Sequence, residues 1–70
     1  IEGDFLPFDI MMYNNKREAY GAHVGVYLGG GKVLHLSKKN GVPRIETHEA
    51  MLTQRKYHYF IGAKRVLVNK

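Results

Sequence analysis

The chain has 70 residues, 44% of them hydrophobic and 24% charged, and its 11 lysines and arginines outweigh 6 acids to give a formal net charge of +5. At that length residues 1–70 form a single domain or a piece of a larger one, and no apolar run nears the roughly 20 residues of a membrane span. There is no cysteine, which excludes disulfides, thiolate metal sites and thiol catalysis by these residues alone.

The sequence opens on Ile1 with neither a basic nor an apolar leader, and so reads as an excised or processed piece. "DFLPFDIMMY", Asp4 to Tyr13, is predicted as a strand, followed by a polar loop. Pro7 cannot donate to a sheet ladder, so either an edge position or a break at Pro7 follows. "HVGVYL" and "KVLHLS" flank Gly29, Gly30 and Gly31, and read as a tight hairpin. Asn40 and Gly41 mark a turn. Thr47 stands at the start of a short helix from about His48 to Gln54. The run from Tyr57 to Val68 closes the chain as a strand, bulged at Gly62. The expected class is α+β: a small antiparallel β-sheet with a central Gly-rich hairpin and one short helix.

Side chains alternate along a strand, so His23, Gly25 and Tyr27 share one face while Val24, Val26 and Leu28 share the other. With the three glycines as the loop, Gly25 falls opposite His35 and His23 opposite Ser37. Both histidines then lie on one face, and Leu34 and Leu36 join the aliphatic residues on the core side. A two-residue loop would put the histidines on opposite faces. The aliphatic residues favour the first register, because only Val33 then joins the histidines. Gly25 leaves open space beside the rings, suited to a ligand or a covering element.

Two imidazoles with no carboxylate or thiolate nearby fall short of a metal site, and no cofactor is expected. A proton-transfer pair fits better, one ring moving the proton and the other fixing its tautomer. Such a pair lacks a nucleophile here. The basic residues occur as scattered pairs, Lys38 with Lys39, Arg55 with Lys56 and Lys64 with Arg65, which reads as a solvated basic surface with no specific nucleic-acid partner.

Gly3 and Asp4, then "HVGVYLGGGKVLHLS", then "FIGAKRV" at Phe60 to Val66 resemble the C-terminal sheet half of the NlpC-type cell-wall cysteine peptidases, over nearly the whole chain. The resemblance implies half of a papain-like fold, with His23 as catalytic base and His35 as the residue that orients it. It further implies hydrolysis of peptide amide bonds of peptidoglycan by acyl-enzyme chemistry, in a secreted or cell-envelope setting. The family's nucleophile is a cysteine on a helix ahead of the sheet, and these residues, which begin at Ile1, include neither that helix nor a cysteine. The chain is therefore expected to be inactive alone, its cysteine lying in a missing segment or on a second chain.

Three alternatives stay open. Ser37 faces His23 across the hairpin and is a substitute nucleophile, although no oxyanion hole or strained elbow is evident beside it. The lecithin:retinol acyltransferase-like proteins carry a similar sheet with the cysteine downstream of it. A noncatalytic basic β-module would instead hold an anionic polymer, with Tyr20, Tyr27, Tyr57 and Tyr59 as stacking surfaces. In every reading His48 and His58 lie outside the hairpin pair. Val24, Val26, Leu28, Leu34 and Leu36 form an apolar patch too large for one short helix, so a second polypeptide or self-association is expected to cover it.

Overall fold

The computed structural model describes residues 5–37 and 40–65. Gly3, Asp4 and Val66, which contribute to the resemblance, lie outside them. Five strands and one α-helix follow in order: β1 (Ile10–Asn14), β2 (His23–Gly29), β3 (Lys32–Leu36), β4 (Pro43–Thr47), α1 (His48–Leu52) and, after a 3₁₀ turn at Arg55–Tyr57, β5 (Tyr59–Lys64). They form a sheet in the order β4-β3-β2-β1-β5, and every neighbouring pair is antiparallel. The α+β class expected from the sequence is the class observed.

Of the two outcomes open at Pro7, the chain takes the break. Its first described strand starts only at Ile10, and β1 sits between β2 and β5 rather than at an edge. Pro7 and Phe8 form a turn, with Phe8 in the left-handed region at φ 74°. The buried Asp9 closes that turn, since one of its carboxylate oxygens accepts the Leu6 N–H at 2.9 Å. The same carboxylate takes a two-pronged hydrogen bond from the Arg65 guanidinium, both contacts at 3.0 Å, and so ties the entrance of β1 to the exit of β5.

The hairpin differs from expectation in its loop and agrees in its register. Gly30 and Gly31 alone form the turn, both at positive φ, and Gly29 pairs with Lys32. Strict alternation from that pair would put the histidines on opposite faces. A one-residue bulge at Leu28 undoes the shift, so that Tyr27 faces Val33 and Gly25 faces His35.

The core lies on the histidine face, and the expected orientation of the sheet is corrected on this point. Met11, Tyr13, Val33, Met51, Tyr57 and Ala63 make the buried cluster. Val24, Leu36 and Ile45, on the opposite face, are 55%, 56% and 60% exposed. The reason is that α1 and the 3₁₀ turn fold back over the histidine face, where Met51 and Tyr57 pack against Met11, Tyr13 and Val33. The aliphatic patch is thus uncovered within the described residues.

Pro43–Thr47, for which the sequence predicts no strand, forms the edge strand β4. Proline at its first position is compatible with an edge. Thr47 then caps α1, its hydroxyl accepting the Ala50 N–H at 3.0 Å. The helix stops at Leu52, short of Gln54, because the Thr53 hydroxyl turns back to the Ala50 carbonyl at 2.7 Å. The final strand starts at Tyr59 instead of Tyr57, because the 3₁₀ turn drops Tyr57 into the core. Its bulge falls one residue before the expected Gly62: Met12 pairs with Gly62 and Tyr13 with Phe60, and Ile61 is left over between them.

Two outcomes are expected. A Cβ on Gly25 would stand 2.7 Å from Cγ1 of Val33 and 3.2 Å from Cβ of His35. Gly25→Ala should therefore cost about 1–3 kcal/mol by overpacking, read from the urea midpoint; an unchanged midpoint would contradict the close approach. Hydrogen bonds from Arg65, and then from Leu6, hold the Asp9 carboxyl below its ordinary value. Its pKa is lower folded than unfolded, so the contribution to stability is present above about pH 4 and is lost as pH falls through the folded value. Urea midpoints measured from pH 7 to pH 2 should fall more steeply for the wild type than for Asp9→Asn, and parallel curves would refute the assignment.

Candidate active site

The hairpin register brings together the two histidines that the sequence singled out. Nε2 of His23, the first residue of β2, lies 3.0 Å from Nδ1 of His35 on β3. Their ring centroids are 5.1 Å apart and the ring planes cross at 88°. The open space expected at Gly25 is closed: the valine methyl and the His35 Cβ occupy the place a side chain would take. Glycine at this position allows the strands and rings to pack closely.

A third group extends the pair. Oε2 of Glu46, on β4, lies 2.6 Å from Nε2 of His35, and Oε1 of Glu46 accepts a hydrogen bond from the Gln54 amide at 2.9 Å. Burial alone would raise the Glu46 carboxyl, but the hydrogen bonds from His35 and Gln54 outweigh it, and the net shift is downward. The carboxylate is therefore ionised at neutral pH. The sequence does not place a carboxylate beside the histidines, because β4, short and begun by Pro43, carries no clear strand signal. The signal available was the alternation of Arg44 and Glu46 on one side of Ile45, and a strand pairing with β3 is what turns that alternation towards His35.

Tyr57 covers the pair. Its ring stacks on His23 with centroids 4.6 Å apart and planes 27° from parallel, and it meets His35 edge-on at 5.4 Å. It is wholly buried, and its hydroxyl has no hydrogen-bond partner among the described residues. The aromatic ring keeps water from that side of the histidine contact, which strengthens the hydrogen bond beneath it. A fully buried Tyr57 is also no stacking surface for a polymer. Tyr27 packs on Phe5 and accepts the Gly31 N–H, and Tyr59 lies beneath the Arg17 guanidinium.

The other histidines stand apart. Nδ1 of His48 is 2.6 Å from the Tyr13 hydroxyl, inside a cluster formed with Phe5 and Phe60. Burial lowers the His48 pKa, with Glu49 opposing it, and burial raises Tyr13, so the contact is between a neutral imidazole and an un-ionised phenol. His58 is exposed and bonds the Leu52 carbonyl at 2.9 Å. Ser37 is buried just past β3, where its backbone closes the turn to Val42. Among the described residues no group of three or more His, Cys, Asp or Glu side chains is arranged to hold a metal ion, and no helix is long and apolar enough to cross a membrane.

Imidazole, imidazole and carboxylate joined in one line can take up a proton at the His23 end and stabilise the resulting charge from the Glu46 end. The sequence model of the NlpC/P60 family matches residues 2–61, a span that includes every member of this line and Tyr57. No curated protein and no solved structure gives a match.

A buried hydroxyl without a partner costs stability that its removal returns. Tyr57→Phe is expected to leave the thermal midpoint unchanged or to raise it, and Tyr57→Leu, which loses the ring over His23, to lower it by several degrees. A clear fall in Tyr57→Phe would mean that the hydroxyl is bonded in solution.

Proposed function

The chain belongs to the NlpC/P60 family, a family of cysteine peptidases and amidases, and from that membership we propose that it supplies the base and the orienting residue of an enzyme that cleaves peptide amide bonds of peptidoglycan. The observation that carries this reading is the 3.0 Å contact between Nε2 of His23 and Nδ1 of His35 on the buried face of the sheet. His23 is the base. His35 holds its ring in place.

These 70 residues contain no cysteine, so the nucleophile comes from a segment outside them or from a second chain, the whole completing a papain-like fold. His23 takes the thiol proton and leaves a thiolate beside an imidazolium. The thiolate attacks the amide carbonyl, and the imidazolium returns its proton to the departing amine as the C–N bond breaks. Water, deprotonated by the same imidazole, then hydrolyses the thioester and restores the thiol. The exposed aliphatic face is suited to burial by that same segment or by a partner chain, because uncovered apolar patches of this kind are usual at interfaces.

The test is made in the cysteine-containing enzyme, with a peptidoglycan stem peptide as substrate. His23→Ala should abolish turnover. His35→Ala should lower kcat by roughly 10–100-fold with KM changed little, since it removes only the group that orients the base. His58→Ala should leave both unchanged. Near-normal turnover in His23→Ala would overturn the proposal.

A further inference from the structure

The contact between Glu46 and His35 determines where the protons of the histidine pair reside. An ionised carboxylate has no proton to donate, so the hydrogen within the 2.6 Å contact belongs to Nε2 of His35. A neutral His35 with its proton there presents a lone pair at Nδ1. The 3.0 Å contact at that atom then requires the proton on Nε2 of His23. His23 is left with its lone pair on Nδ1, the nitrogen on the far side of the ring from His35. The opposite arrangement would set a lone pair of His35 against a carboxylate oxygen at 2.6 Å, which is repulsive.

We propose that Glu46, held by Gln54, is a positioning residue that fixes the tautomers of His35 and His23 in series, so that Nδ1 of His23 is the atom that takes the nucleophile's proton. The proposal rests on the catalytic reading above and extends it by two residues. Glu46 is placed for this by β4, where its neighbour Ile45 pairs with Leu34 and it stands itself opposite Val33. Gln54 engages Oε1, which leaves Oε2 to His35 and fixes the carboxylate plane. When His23 becomes an imidazolium, the Glu46 charge opposes it along a line of hydrogen bonds shielded on one side by Tyr57.

The test uses the full cysteine-containing enzyme in two forms. In the first, the nucleophilic cysteine is replaced by alanine so that His23 remains neutral, and the ring nitrogens of His23 and His35 are observed by ¹⁵N NMR. Both rings should carry the proton on Nε2, and in Glu46→Leu both should become tautomer mixtures. In the second, the active enzyme, Glu46→Leu should lower kcat about 100-fold with KM within threefold. Glu46→Gln keeps an acceptor oxygen and loses the charge, and it should lower kcat by about 3–10-fold while retaining the wild-type tautomers.

A proton on Nδ1 of neutral wild-type His23 would overturn the proposal. So would Glu46→Leu turnover within twofold of wild type in an enzyme that His23→Ala inactivates, and in that case the catalytic reading survives alone. Normal turnover in His23→Ala overturns the catalytic reading, and the positioning role with it, whatever Glu46 does.

Discussion

The structure depends on the one-residue bulge at Leu28. A two-residue glycine turn gives a tight hairpin, and by itself that turn would carry His35 onto the face opposite His23. The bulge adds the missing residue, so Gly25 rather than Val26 meets His35. From that register follow the contact between the histidine rings, the close packing around Gly25, and the division of the sheet into an aromatic inner face and an aliphatic outer one. Turn, bulge and glycine therefore act together, and a change in any one of them changes which side chains meet.

The second dependence is on the edge strand. Glu46 reaches His35 only because β4 pairs with β3, and β4 in turn leads directly into the capped helix that carries Met51 and the loop that carries Gln54. The site is assembled across three adjacent strands and covered by the 3₁₀ turn. Each polar member has a partner: His23 bonds His35, His35 bonds Glu46, and Glu46 bonds Gln54. A line of hydrogen bonds of this kind tolerates burial, whereas the same groups unpaired would destabilise the sheet.

Much of this was legible in the sequence where the signal is local. Period-two alternation on either side of the glycines gave the hairpin and the shared face of His23 and His35; Thr47 gave the helix start; Gly62 gave the bulge in β5 to within one residue. What was not legible depends on tertiary pairing. The aliphatic row of Val24, Leu34 and Leu36 reads as a core by hydropathy, yet the core formed where α1 and Tyr57 fold back. β4 is short, begins with Pro43 and carries Arg44 and Glu46, so its composition resembles a loop. Missing that strand concealed the carboxylate of the site. Pro7 permitted two outcomes, and the choice was made by Asp9, which closes the turn and binds Arg65.

The central place of β1 has a consequence for the order in which the fold is made. One neighbour of β1, β2, follows closely in the chain, whereas the other, β5, is the last described strand. On the ribosome, Met11 and Tyr13 therefore wait on an unpaired strand edge until Tyr59–Lys64 emerge and Arg65 reaches Asp9. The nascent chain must keep that edge from pairing with a neighbouring polypeptide throughout this interval. Closure of the sheet between its most distant strands in sequence makes folding slow relative to a helical domain of equal length.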